Sequence, residues 1–258
     1  MSSAFGMGLS FGAIALSACS RPQPAAGEVR IAAATDLAGT LEELAGAFER
    51  RTGTHVTISF GASGLLTKQL EQGAPFDAFA AADASFADRA ARSGACDGAT
   101  SAPYARGRIA VFVRDDAGGP LASLDGLRDA RFRRIAIANP ETAPYGRAAR
   151  EALERSELWE ELKPRIVYGE NVRQTLQMAE SGNAEAAIVA FSHARRAKGG
   201  KVLEVDTKLY APLIQVVVAC KRGKNPTAGA EFARALLTAE ARDVFLRGGF
   251  LPPSEGGR

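Results

Sequence analysis

Histidine is nearly absent from this chain, with two residues in 258, and cysteine is sparse, with three. His55 and His193 are the only imidazoles available as a base or metal ligand, which leaves acid–base and histidine-metal chemistry little to work with. The sequence contains no Gly-x-x-x-x-Gly-Lys-Ser/Thr, no His-Glu-x-x-His and no Cys-x-x-Cys, so nucleotide-phosphate loops, zincin helices and paired-thiol sites are not indicated. Charge of one sign is also missing: 32 Lys+Arg against 29 Asp+Glu leave a formal net charge of +3. The basic residues are scattered rather than gathered in a stripe, which argues against nucleic acid as a partner. What is present, 46% hydrophobic and 24% charged residues, is ordinary globular material, long enough for two modest α/β domains.

The first residues differ in kind from the rest. Met1 to Ala18 carries no charge and runs into Leu16-Ser17-Ala18-Cys19, like a secretory leader closed by a lipoprotein cleavage box, although no Lys or Arg precedes the apolar region. The run is too short and too rich in Ser and Gly for a transmembrane span. Export is therefore expected, with Cys19 as an acylated first residue and Ser20 to Gly27 as a flexible tether. Of the remaining cysteines, Cys96 and Cys220 stand far apart; Cys220 closes an apolar run and reads as a buried thiol, with an oxidised pair left open.

From Glu28 onward, short apolar runs alternate with helical periodicity: Val29 to Ala34, His55 to Phe60 and Phe76 to Ala81, each followed by a helix. Such alternation predicts mostly parallel sheets covered by helices. Pro103 and Gly107 mark a loop, Arg108 to Arg114 a strand. A second set follows: strands over Arg134–Ala138, Arg165–Tyr168 and Glu185–Ala190, with helices after each, the last a short, exposed basic one that holds His193, Arg195 and Arg196. Leu213 to Cys220 is a long β-rich run, and helices end the chain. The expected organisation is a leader and tether over 1–27, a discontinuous first lobe over 28–107 and 221–258, and a second lobe over 108–220 that includes both crossings. Ligands of open α/β sheets sit off the carboxyl ends of strands, so facing lobes form a cleft that closes like a hinge.

Four strand-to-helix junctions share a composition. Thr35-Asp36 and Ser63-Gly64 belong to the first lobe, Tyr145-Gly146 and Asn171-Val172 to the second. Taken singly, hydroxyl and amide residues before a helix are ordinary N-caps. Taken together, two from each lobe aim the unpaired N–H groups of helix starts at one point, which suits an anion. None of Thr35, Ser63, Tyr145 and Val172 is a cation, so the anion would be held by dipoles alone, without the desolvation cost of burying a protein charge.

The motifs at these junctions resemble those of the periplasmic molybdate-binding proteins of ABC transporters. They are Ala32-Ala33-Ala34-Thr35-Asp36, Ser59-Phe60-Gly61-Ala62-Ser63, Gly73-Ala74-Pro75-Phe76-Asp77 with Ala82-Asp83, and Asn139 through Arg147. Gly169-Glu170-Asn171-Val172-Arg173-Gln174 and Gly182 through Ala186 with Ile188-Val189 complete the set. The resemblance implies a two-lobed α/β fold of the type II periplasmic binding proteins, each lobe a mostly parallel sheet flanked by helices with the ligand cleft between. It implies molybdate or tungstate as ligand, no cofactor, no catalytic step, no direct metal-cation ligands, a monomer in the periplasm and a membrane permease as partner. Thr35 and Ser63 would supply hydroxyl and backbone N–H groups, Tyr145 and Val172 backbone N–H groups. Some members carry a Tyr after the Ile-Val pair, where Ala190 stands here. Asp36 occupies a position that is Asn in the related subgroup; only its backbone is expected to serve, the side chain turned to the helix start or solvent. With no titrating side chain on the ligand, affinity is expected to be nearly flat from about pH 6 to 8.

Rival readings are weaker. Gly61-Ala62-Ser63-Gly64-Leu65 lacks the final glycine of a nucleophile elbow, so a serine hydrolase acting through Ser63 is disfavoured. Asp77 reads as the residue before a buried strand and Asp83 as a helix cap, not as cation ligands. A binding protein for sulfate or phosphate shares the expected fold, and cleft size is not legible in sequence.

Overall fold

The computed structural model describes Met1 and residues 27–253; the leader, the cleavage box at Cys19 and most of the tether lie outside the described residues. The chain builds β1 (Glu28–Ala34), α1 (Thr40–Thr52), β2 (His55–Gly61), α2 (Ser63–Glu71), β3 (Ala78–Ala81), α3 (Ala84–Arg92), β4 (Ala102–Gly107) and β5 (Ile109–Arg114). It continues with β6 (Ile135–Ala138), α4 (Pro144–Arg155), α5 (Trp159–Leu162), β7 (Ile166–Gly169), α6 (Val172–Glu180), β8 (Ala186–Ala190) and α7 (Phe191–Ala194). Then come β9 (Gly200–Glu204), β10 (Leu213–Ala219), α8 (Pro226–Ala235) and α9 (Ala239–Gly248).

Two five-stranded sheets result, ordered β2-β1-β3-β10-β4 and β7-β6-β8-β5-β9. In the first, β1 runs parallel to β2 and β3 while β10 is antiparallel to β3 and β4. In the second, β6 runs parallel to β7 and β8 while β5 is antiparallel to β8 and β9. The central strands are short and wholly apolar: β3 (AFAA), β6 (IAIA) and β8 (AAIVA) are buried at every position, as strands covered on both faces must be. The abundance of Ala there lets helices lie close on the sheets. Edge strands show the opposite signature, with Tyr168 of β7 52% exposed.

Two strands escaped the sequence pattern, each for a physical reason. β4 contains Pro103, which removes a ladder donor, yet β4 is an edge strand and Pro103 faces the register irregularity at Gln215/Val216 of β10, a place where proline is tolerated. β9 is polar and largely exposed, so it carries no apolar run to read. Leu213–Cys220, counted with the second lobe in the sequence reading, pairs inside the first sheet instead. The return crossing therefore precedes Leu213, and the outward crossing is the short step from β4 to β5.

Cys96 and Cys220 are joined as a disulfide, which corrects the reading of Cys220 as a free buried thiol. The bond ties the segment after α3 to the end of β10 within the first lobe. Among the described residues no helix is long and apolar enough to cross a membrane.

Candidate functional site

The carboxyl ends of β1 and β2 and the starts of α2, α4 and α6 converge on a small cavity of about 10 Å³, lined among others by Thr35, Asp36, Ser63, Tyr145, Asn171 and Val172. All five site residues expected from sequence are thus brought together, from two junctions in each lobe. The lining contains no Lys, Arg or His, and its single carboxyl is that of Asp36.

Each junction places its donor by local geometry. Ser63 and Val172 are the first residues of α2 and α6, and Tyr145 is the second of α4 behind Pro144. Backbone N–H groups in the first turn have no intrahelical acceptor, and these three residues line the cavity. After β1 the chain does not enter a helix at once; a 3-10 turn over Thr35–Leu37 comes first, and α1 starts at Thr40. That turn buries Thr35 and Asp36 against the opposite lobe.

The hydroxyls decide between a capping and a binding role. Only Asn171 caps, accepting from Arg173 and Gln174 N–H at 3.1 Å each. Ser63 Oγ instead accepts from Ala82 N–H at 3.0 Å, which leaves its own O–H free to donate. Thr35 Oγ1 is buried and has no hydrogen-bond partner among the described residues. A buried polar atom without a partner costs about 1–3 kcal/mol, and two hydroxyl donors left unspent beside three helix starts match what an oxyanion requires.

The lobes are closed on each other. Gly64 N–H donates to the Thr142 carbonyl across the cleft at 2.9 Å. A methyl group on Gly64 would lie 2.8 Å from that carbonyl oxygen and 3.0 Å from Thr142 Cα, so the lobes meet this closely only because the residue is glycine. Arg147 pairs with Asp83 at 2.5 Å, while Asp83 also caps α3 through Ser85 N–H, as expected. Ser192 Oγ donates to the Asp36 carbonyl at 2.8 Å, and His193 Nε2 meets the Thr35 carbonyl at 2.9 Å. His193 is therefore part of the lobe contact, which corrects its assignment to an exposed basic helix; α7 also ends at Ala194, before the basic pair.

Asp36 departs furthest from expectation. Its carboxyl does not reach solvent, since the residue is 1% exposed. Oδ2 accepts from Tyr145 O–H at 2.8 Å and from Gln215 Nε2 at 2.8 Å, and Tyr104 O–H donates to Gln215 Oε1 at 3.1 Å. Burial pushes the Asp36 carboxyl up to about 6 against the pull of these hydrogen bonds. Burial and the neighbouring carboxyl push the Tyr145 phenol up, well above the usual range. The phenol fits because Gly107 lies beneath it: a methyl there would stand within 2.2 Å of Tyr145 Oη. This network, drawn from four elements distant in sequence, carries no signal in any local motif beyond the presence of an acid at position 36.

Residues 29–251 match the family model of the bacterial extracellular solute-binding proteins. The chain belongs to that family. It is 33% identical over 227 residues to the molybdate-binding protein ModA of Rhodobacter capsulatus, covering 88% of this chain and 89% of the relative. Among solved structures it is similar to the periplasmic molybdate-binding protein of Azotobacter vinelandii, with a TM-score of 0.80, 29% identity and coverage of 88% of this chain and all of the other. The sulfate-binding protein SubI of Mycobacterium tuberculosis superposes with a TM-score of 0.75 at 15% identity, covering 89% of this chain and 88% of the other, a likeness of fold alone. The two-lobed type II architecture is thereby established, and the chain is an extracytoplasmic solute-binding protein rather than an enzyme.

Proposed function

We propose that this protein captures molybdate, or tungstate, in the interlobe cavity and delivers it to the membrane permease of an ABC transporter. The observation that carries the reading is Thr35 Oγ1, buried and unpartnered at a cavity whose lining offers no cation. Thr35 and Ser63 donate O–H and N–H groups from the first lobe; Tyr145 and Val172 donate backbone N–H groups from the second. The oxyanion is held through its oxygens, with no protein atom on the metal. Only the closed arrangement satisfies the ligand from both sides, so binding shifts the open protein towards closure, and closure is what the permease reads. The protein works as a monomer outside the cytoplasm, with Cys19 as its lipid anchor.

A thermal-shift panel of oxyanions tests this, because a ligand that binds only the native state raises stability with the logarithm of its excess over Kd. Molybdate and tungstate should raise Tm strongly, sulfate and phosphate far less. Equal stabilisation by sulfate would overturn the assignment.

A further inference from the structure

The Asp36 carboxyl sits where an oxyanion site least tolerates one, beside a cavity built for a compact dianion. It touches no cation: among the described residues its side-chain partners are the Tyr145 phenol and the Gln215 amide, and no Arg or Lys forms an ion pair with it. Tyr145 comes from α4, Gln215 from β10, and Tyr104 from β4 through Gln215. Tyr210 lies near enough to act on Tyr145. From α7, Ser192 and His193 hold the carbonyls of Asp36 and Thr35, and Arg173 and Arg196 act on His193 rather than on Asp36.

Tyr145 has two ends with two tasks. Its backbone, at the start of α4, lines the cavity, and its phenol reaches across the cleft to Asp36 in the other lobe. The second contact exists only when the lobes are shut, so it sets where the first one lies. An ionised Asp36 would strengthen this grip but repel a dianion in the cavity it lines, because a buried charge is poorly screened.

We propose that Asp36 is a positioning residue for oxyanion capture, acting through Tyr145, and that it does so as the neutral acid, so that capture of a dianion takes up a proton. This rests on the function proposed above. In the open protein Asp36 is solvated and ionised at neutral pH; in the closed, loaded protein it is protonated, with Oδ2 still accepting from Tyr145 and Gln215. The sign follows. The group binds its proton more tightly in the loaded state, so affinity is full at low pH and falls as pH rises from the ordinary carboxylate range through the loaded-state value. Already about 6 in the closed protein, where the ordinary value is 3.8, that value is raised further by the dianion. Affinity should therefore fall by up to about tenfold per pH unit from about pH 4 up to the loaded-state value and level off above it, in place of the flat profile expected from sequence. His193 acts in the opposite sense: burial lowers its affinity for a proton from the ordinary 6.5, so closure sheds a proton there below about pH 7.

The experiment is calorimetric titration of the full-length protein with molybdate at pH 7.0 in two buffers of different ionisation enthalpy, repeated at pH 8.0. Wild type should take up more protons per molybdate than Asp36→Asn at pH 7.0, a difference in which the His193 contribution cancels. Asp36→Asn, which keeps an oxygen for Tyr145, should bind with a pH-independent Kd, while Asp36→Ala should bind about tenfold more weakly than Asp36→Asn at both values. Proton uptake by wild type no greater than that of Asp36→Asn at either pH, with tight molybdate binding in both, would overturn this inference and leave the proposed function standing. Absence of molybdate binding in wild type would overturn the proposed function itself.

Discussion

The two lobes are built alike and equipped differently. Strand for strand, β2-β1-β3-β10-β4 answers to β7-β6-β8-β5-β9, with the antiparallel strand in the same place. They share even a buried acid lock. Asp77 N–H donates to the Arg30 carbonyl and Arg30 N–H to Asp77 Oδ2, both at 2.7 Å. In the second lobe Glu185 N–H donates to the Arg134 carbonyl at 3.0 Å and Arg134 N–H to Glu185 Oε2 at 2.7 Å. At the cavity the likeness ends. The first lobe presents two hydroxyls, Thr35 and Ser63, while the second presents helix-start N–H groups and sends a phenol back across the cleft. On the proposed reading a common scaffold divides the chemistry: the first lobe adds to its main-chain N–H groups two side-chain donors that mutation removes, while the second lobe's donors are main chain alone.

The largest expected effect comes from denying the lobes their contact. Gly64→Ala places a methyl against Thr142 across the cleft and 3.1 Å from Phe86 Cε1 in its own lobe; overpacking of this kind costs about 1–3 kcal/mol, and because the closer clash, with Thr142, is incurred only on closure, molybdate affinity should fall roughly 5- to 150-fold. Unfolding midpoints of the ligand-free variant should move less than the affinity does. The division of donors is sharpened by pairing Ser63→Ala with Val172→Ala. Losing a hydrogen bond to a charged group removes about 1.5–3 kcal/mol, so calorimetry should show a ten- to hundredfold weaker Kd for Ser63→Ala. Val172→Ala should stay within about threefold of wild type, its N–H being untouched. Comparable losses in both would break the comparison. The smallest effects test the acid locks, read by denaturant unfolding. Asp77 accepts two backbone N–H groups, from Arg30 and Asn225, so Asp77→Asn turns an amide donor on one of them and should cost about 2–3 kcal/mol. Glu185 accepts one, and Glu185→Gln, which keeps an oxygen for it, should cost about 1 kcal/mol or less. Neither should alter affinity.

Much of this was legible in the sequence because it is written locally. Short apolar runs bounded by helix starts mark the central strands and the four junctions, and the junction residues are those that line the cavity. What was not legible depends on distant partners. Asp36 reads as a misplaced charge until Tyr145, Gln215 and Tyr104 are seen around it. His193 reads as surface because α7 is short and basic, yet it turns inward to Thr35. β4 hides behind Pro103, which only its edge position and the β10 irregularity make acceptable. Cys220 closes an apolar strand like any buried thiol, and its bond to Cys96 follows from a bridge that brings two remote segments side by side.

Thr35 offers the most direct test of a neutral cage completed by unspent donors. Thr35→Val keeps the shape and deletes the unpartnered hydroxyl. If that hydroxyl waits for an oxyanion, the ligand-free variant should be as stable as wild type or up to about 1–2 kcal/mol more stable, while calorimetry gives a molybdate Kd about ten- to hundredfold weaker. An unchanged Kd would contradict the account, for it would make Thr35 a buried imperfection rather than a ligand donor.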